Sequence, residues 1–562
     1  MGIEKVEALV SRFKEQEARY VRPGYSEANV QREFIEPFFE ALGWDIYNKA
    51  GFAEAYKAVM HQPRLLTHTQ NLAPDYAFRI GGTLKFYVEA KSPVEDLDND
   101  AGPARQLRRY GWSARLPVSV LTNFREFAVF DCKIKPSISD GPRTCLIRYL
   151  RFDQYIEQWD WIRGTFSPEA IGRGAFDKFA EATDAHQGTM RVDEDFLALI
   201  ETWRGSLASH LHRQHPDLEV FDLNLAVQKI IDRIVFMRIA EDRGFEPQKQ
   251  LAKLLDGKNV YQRLVDLWRT ADRRYNSGIF HLIKDERPTN TIDNLTPSLK
   301  VNDFCLQEII EGIYYPQSQY EFSAMPLDIL GQIYERYLGK TLVPERGNLI
   351  VKTKPELRKS GGVYYTPTYV VRFIVENTLG KFLPGKTIPK IRNLSIVDPA
   401  CGSGSFLIEA YRLLLDWYLD QYVRAGASQY SQGKDPKIFG SEQTGWKLTI
   451  EEKKRILLRH IYGVDLDPQA VEIAKLSLCL KLLEGESEDS IASQQKLFHQ
   501  RALPDLDDNI KCGNSLVSLH RGYDRLQFWQ SFRGDAESDA SSGAGRSANE
   551  TLAFESKHHL MN

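Results

Sequence analysis

Paired cysteines are missing from this 562-residue chain: Cys132, Cys145, Cys305, Cys401, Cys479 and Cys512 stand singly, with no Cys-x-x-Cys pair among them. That excludes a disulfide-stapled scaffold and a cysteine-type structural zinc site, and it points to a reducing, cytoplasmic setting. No apolar run reaches bilayer-spanning length, and the first residues form no signal-type apolar stretch. Charge of one sign is missing too, since the net value is -3. Any surface for a polyanion must therefore be a local basic stripe, offset by acidic surface elsewhere. The hydrophobic share, 42%, is enough to fill the cores of several domains. Internal repeats are absent.

Against these absences, the segment Ile396-Val-Asp-Pro-Ala-Cys-Gly-Ser-Gly-Ser-Phe-Leu407 runs from an apolar strand through a glycine turn into a helix read as Phe406 to Leu415. Gly402 and Gly404 allow a tight turn and a close backbone approach to a ligand, and the free amides of the helix N-terminus favour an anionic group. Further along, Ile461-Tyr-Gly-Val-Asp-Leu-Asp-Pro468 reads as a second strand ending in carboxylates, followed by an amphipathic helix from Gln469 to Leu483. A carboxylate at the tip of a second parallel strand is placed to accept from ribose hydroxyls. Asp465 has that position, whereas Asp467 could simply cap the next helix.

With Gly362-Val-Tyr-Tyr-Thr-Pro-Thr368 upstream and Ile510-Lys-Cys-Gly-Asn-Ser-Leu516 downstream, these segments resemble the amino-methylating, adenine-specific DNA methyltransferases. The resemblance implies S-adenosylmethionine as cofactor, with its methionine part held by Tyr365, Thr366, Pro367, Asp398, Ala400 and Gly402. It implies ribose at Asp465 and adenine near Asn514. It also implies a partial Rossmann-like sheet, because the family's fourth strand lies beside its first and the chain supplies strands only up to the third. The first strand then becomes a bare apolar edge, which pairs with other chains or aggregates. The family's methyl-transfer loop is Asn/Asp/Ser-Pro-Pro-aromatic, and no Pro-Pro dipeptide occurs anywhere in the chain. No residue is therefore nominated for methyl transfer, and the C-terminus is expected to be a truncation of a longer protein.

Near the N-terminus, Leu72 to Ser92 alternates apolar and polar residues on both sides of Gly81-Gly82-Thr83, the pattern of a β-hairpin. Pro74-Asp75 falls on one strand and Glu89-Ala90-Lys91 on its partner, with Glu89 and Lys91 on one face because side chains alternate. Two carboxylates and an ammonium thus converge, although an exposed hairpin with a surface ion pair fits the bare pattern as well. The arrangement resembles the PD-(D/E)XK nucleases. That implies Mg²⁺ held by Asp75 and Glu89, and Lys91 orienting water or neutralising charge.

A helix from Tyr25 to Trp44, with Ser26 as N-cap, carries Glu27 in its first turn. Type I and type IIG restriction proteins begin with a similar helix, which implies Glu27 as a further metal ligand, with Glu33 as the fallback. Gln106-Leu-Arg-Arg-Tyr110 matches the Gln-x-x-x-Tyr element of the same nucleases and implies a catalytic role for Gln106. Arg108 and Arg109 could then sit against phosphates or, as neighbouring basic residues on a helix most often are, be simply solvated. Val118-Ser-Val-Leu-Thr122 and Glu126-Phe-Ala-Val-Phe130 supply two further strands.

Between these sites the chain shows helical periodicity, strongest at Asp222 to Gly244 and at Pro326 to Gly339. The expected class is α/β multidomain: a nuclease domain over 1–165, an all-α connector over 166–350, a methyltransferase segment over 351–518 and a tail over 519–562 rich in small polar residues. In that order the parts resemble the type IIG and IIL restriction-modification enzymes. The resemblance implies double-stranded DNA as partner, with the target-recognition region missing from the chain and no membrane association. A non-catalytic DNA-binding remnant of such an enzyme is the alternative.

Overall fold

Two glycines in left-handed conformation, Gly81 at φ 55° and Gly82 at φ 78°, close the two-residue turn between β2 (Tyr76–Ile80) and β3 (Thr83–Ala90), a backbone shape that matches strand twist and disfavours a Cβ. The computed structural model describes the chain apart from residues 1, 52–56, 62–73, 183–190, 276–279, 281, 283–291, 327–330, 332–339, 346–347, 354–365, 434, 442–444, 485, 487–502 and 517–562. Residues 1–514 pack as one unit and 515–562 as a second, of which only Ser515 and Leu516 are described.

The hairpin belongs to a six-stranded mixed sheet in the order β1-β2-β3-β4-β5-β6, with β1 Val59–His61, β4 Val118–Thr122, β5 Glu126–Asp131 and β6 Leu146–Arg151. All neighbours are antiparallel except β3 and β4, whose parallel pairing is made possible by the crossover helix Ala101–Ser113. One face packs Phe78, Phe86, Val88, Val120 and Phe127 against the N-terminal helices, and the other packs Ala77, Tyr87, Leu121 and Phe130 against the crossover helix. The alternation of apolar residues along β3 therefore reports burial on both sides.

The N-terminal helix is not a single regular helix, as its sequence suggested. It runs as Glu27–Val30, a π-turn at Gln31–Ile35, and Glu36–Ala41. Pro37 has no amide to offer the Glu33 carbonyl, and the Arg12 guanidinium donates to that carbonyl instead. Ser26 is the expected cap, its side chain accepting from Asn29 N at 3.3 Å. Phe13, Phe34, Phe38, Phe124 and Tyr155 form an aromatic cluster beneath it, each buried ring contributing roughly 1.5–3 kcal/mol.

The connector is not all-α. Long helices at Val192–Gln214, Val220–Asp242 and Val260–Tyr275 build it, but β7 (Lys340–Glu345) and β8 (Asn348–Thr353) form an antiparallel hairpin packed on the first two. Val, Ile, Leu and Thr around Arg346-Gly347 favour strands over a helix there. The 326–339 helical stretch lies almost wholly outside the described residues.

The third region carries a parallel sheet in the order β13-β12-β9, with β9 Ile396–Asp398, β12 Ile461–Asp465 and β13 Ile510–Cys512. Among the described residues β9 pairs on one side only, so the expected edge is present. A small hairpin, β10 (Ile438–Ser441) with β11 (Gly445–Leu448), was not legible in the sequence. The helix after β9 extends over Ser405–Arg424, nine residues past the expected Leu415. The helix Pro468–Leu483 is not amphipathic: Val471, Ile473, Ala474, Leu476, Leu478, Cys479 and Leu480 are apolar on all its faces and are buried against the sheet and the helices Ser405–Arg424, Ile450–His460 and Val220–Asp242. Connector and parallel sheet thus share one hydrophobic core.

Candidate functional sites

At the end of the β2–β3 hairpin far from its turn, Asp75 lies just before β2 rather than within it, and its Oδ2 accepts from Ala90 N at 2.8 Å. Glu89 is fully buried and Lys91 8% exposed, and Lys91 Nζ donates to Glu89 Oε1 at 2.6 Å. The alternation along β3 puts Glu89 on the face of the crossover helix, where Gln106 hydrogen-bonds Tyr110 and the Glu89 charge is felt at Tyr110. The structure thus brings Asp75, Glu89, Lys91 and Gln106 to one region. An exposed surface ion pair does not describe them, since both partners of the pair are buried.

Burial pushes the Glu89 carboxyl up to about 8, with the Asp75 carboxylate adding to the shift and Lys91 opposing it. Burial acts to lower the Lys91 ammonium, but the Glu89 carboxylate outweighs it and holds the group above its ordinary range. Glu89 Oε2 has no hydrogen-bond partner although it is sealed from solvent, a costly state for a carboxylate oxygen. Such an oxygen suits a hard divalent cation, which takes one or two carboxylates and fills its other positions with water and phosphate oxygens. Among the described residues no three His, Cys, Asp or Glu side chains are gathered into a ready metal-binding set. Glu27 is near enough to raise Glu89 electrostatically, whereas Glu33 is exposed and interacts with Tyr25.

The expected phosphate contacts of Arg108 and Arg109 are corrected by the structure. Arg108 is 1% exposed, paired with Asp140 and donating to Ile134 O at 3.2 Å. Arg109 pairs with Glu321 of the connector and lies over the Tyr315 ring at 4.3 Å. Both cations are used inside the protein because the face of the crossover helix that carries them packs against other chain segments. Sequence reading also passed over Ser92, whose hydroxyl donates to Tyr25 O at 3.0 Å and ties the end of the Glu-x-Lys strand to the start of the Glu27 helix.

In the parallel-sheet region, Gly402 and Gly404 have φ of 52° and 85°, and a Cβ on Gly404 would sit 3.2 Å from Ala474 Cβ. The loop is stitched to the second strand: Cys401 N donates to Val464 O at 2.9 Å, Gly402 N to Asp465 Oδ2 at 2.8 Å, and Asp467 N to Asp465 Oδ1 at 2.9 Å. Gly513 N, beside Asn514, donates to Asp465 O at 2.8 Å. Asp465, Gly402 and Asn514 therefore meet at the ends of the three strands. Asp398 accepts from Ala400 N at 3.1 Å, and burial, helped by Asp465, raises its carboxyl above the ordinary range.

A cavity of about 410 Å³ opens beside β9, lined by Thr366, Thr378, Asp398, Ala400, Ser405 and apolar neighbours. Pro367 caps the helix Thr368–Asn377 that forms one wall. Tyr365 lies outside the described residues. The contribution of Thr378 carried no signal in the sequence, since it stands at the junction between the helices Thr368–Asn377 and Leu379–Phe382.

Comparison with known families matches residues 385–521 to the MmeI, DNA-methyltransferase domain. Over 519 residues the chain is 35% identical to the type II restriction enzyme and methyltransferase RM.Eco57I of Escherichia coli, across 92% of this chain and 49% of that protein. The chain is thus similar to fused restriction and methyltransferase proteins. It spans about half the length of that relative. It is also 27% identical over 173 residues to the adenine-specific methyltransferase PglX of Streptomyces coelicolor, 31% of this chain and 12% of that protein. A solved DrdV–DNA complex covers 90% of this chain and 40% of its own, with 14% identity and a TM-score of 0.30. Among the described residues no helix is long and apolar enough to cross a membrane.

Proposed function

We propose that this chain carries a Mg²⁺-dependent DNA endonuclease of the PD-(D/E)XK type over residues 1–165. In this reading residues 166–350 connect it to a Rossmann-like segment, 351–518, that binds S-adenosylmethionine for adenine-N6 methylation of double-stranded DNA. The observation that carries the cutting half is the buried, unpartnered Glu89 Oε2 beside Asp75 and Lys91.

Asp75 and Glu89 would hold the cation, with Glu27 as an outer contributor. Bound Mg²⁺ supplies charge neutralisation at the scissile phosphate and a more acidic water. Lys91, whose ammonium is held on Glu89 Oε1, would stabilise negative charge beside the cation, and Gln106 would contribute a neutral donor and acceptor from the crossover helix. In the second half, Thr366, Pro367, Asp398, Ala400 and Gly402 would bind the methionine part, Asp465 the ribose and Asn514 the adenine, with Tyr365 joining them from outside the described residues. No side chain of this chain is assigned the methyl-transfer step.

The test is calorimetry with Mg²⁺ on the wild type and Asp75→Ala, paired with nicking of supercoiled DNA. Binding and nicking by the wild type alone support the reading. Identical metal binding in both proteins and no nicking would replace it with a non-catalytic DNA-binding role, which the lack of a gathered three-ligand set among the described residues favours.

A further inference from the structure

The turn between β4 and β5, Asn123-Phe124-Arg125, holds a non-glycine residue in left-handed conformation: Phe124 has φ 65°. Such a conformation costs about 1–3 kcal/mol and persists only where its surroundings over-determine it. Here Glu126 N donates to Asn123 Oδ1 at 2.8 Å, Thr122 Oγ1 to Glu126 O at 2.7 Å, and Tyr155 OH to Phe124 O at 2.7 Å.

The turn and its flanking residues touch the end of the Lys91 strand, the segment that follows it and the helix that begins at Glu27. Lys91 N donates to Thr122 O at 3.0 Å. Glu126 is 2% exposed, and its Oε2 accepts from Leu97 N at 3.2 Å and from Asn123 Nδ2 at 3.0 Å, while its Oε1 accepts from the Tyr149 hydroxyl. Asn123 Nδ2 also donates to Glu95 O at 2.9 Å. The segment so pinned, 92–100, is the only covalent path from Lys91 to the helix of Gln106. On the opposite face the Phe124 ring meets Phe34 at 4.8 Å, on the helix that begins at Glu27.

We infer that Glu126, with Asn123, is a positioning pair for the cutting site: it fixes the strap between Lys91 and Gln106 without touching DNA or metal. This rests on the nuclease reading above. A buried carboxylate spent on a loop amide is an expensive way to hold a surface strap, and its location at the active end of β3 and β4 gives that expense a purpose.

The experiment compares the wild-type 562-residue chain with Glu126→Ala, Glu126→Gln and Asp75→Ala. Glu126→Ala should lower kcat for nicking by about tenfold to a hundredfold, the scale of a small misplacement of catalytic groups, with KM for DNA within about twofold. Glu126→Gln, whose amide oxygen still accepts from Leu97 N, should recover most of it. Independently of activity, amide exchange should rise about tenfold or more in 92–100 of Glu126→Ala and nowhere in the parallel sheet. If Glu126→Ala does not fold, Asn123→Ala makes the same test by removing the link to Glu95. Unchanged kcat with unchanged exchange would overturn the positioning role alone. Loss of nicking in the wild type as well as Asp75→Ala would remove the nuclease reading and this inference with it.

Discussion

The Gly402 amide donates to Asp465 Oδ2 at 2.8 Å, so the glycine loop after the first parallel strand is tied to the carboxylate at the tip of the second. The two motifs, far apart in sequence, are one structural unit.

Asp465→Ala should therefore do two things. It leaves the amides of Gly402 and Asp467 without their acceptor, a loss of about 1–3 kcal/mol, and it should abolish S-adenosylmethionine binding. Asp465→Asn keeps one acceptor oxygen and should lose less stability. Thermal denaturation and cofactor calorimetry on both variants measure the two effects separately.

Glu89 gives a prediction for metal-free protein. Its carboxylate is buried, pressed by Asp75 and half unsatisfied, but it is also the counter-ion of the buried Lys91 ammonium, so Glu89→Gln should shift the melting temperature in chelator only modestly, relief of the first offsetting loss of the second. The same variant should lose the stabilisation that Mg²⁺ gives the wild type. A large drop in metal-free stability would mean that the Lys91 pair is structural rather than part of a metal site.

A pH effect is expected from the connector. Glu241 accepts from Leu251 N at 2.9 Å and from the Tyr314 hydroxyl, yet burial pushes its carboxyl up to about 7, past the opposing effect of these bonds. A raised folded-state value means that the folded protein binds this proton more tightly. The contribution is fully present below the ordinary value near 4.5 and is lost as pH rises through about 7. Glu241→Gln should flatten the decline in stability between those limits by an amount on the order of a few kcal/mol, read from urea unfolding at several pH values.

Arg108 and Arg109 should behave as structural cations. Truncating Arg108 strands Asp140 and should cost about 3–5 kcal/mol, while the salt dependence of DNA binding by the folded fraction stays unchanged. A reduced salt slope for Arg108→Ala would instead show a phosphate contact.

Local patterns in the sequence determined the elements that depend on near neighbours. The Gly81-Gly82 hairpin, the Ser26 cap, the β4 and β5 strands and the strand-turn-helix around Gly402 each follow from residues a few positions apart, because backbone conformation and hydrogen bonding close over that distance. The Asp75, Glu89 and Lys91 convergence was legible for the same reason, since a hairpin register fixes it. Only the tertiary structure decided what each polar group spends its charge on. Arg109 meets Glu321, Asp465 meets Gly402, and Glu126 meets Leu97, through contacts between segments whose spacing in the chain carries no signal. It also decided which elements share a core: the helix Pro468–Leu483, apolar on every side, packs both on the parallel sheet and on the helix Val220–Asp242.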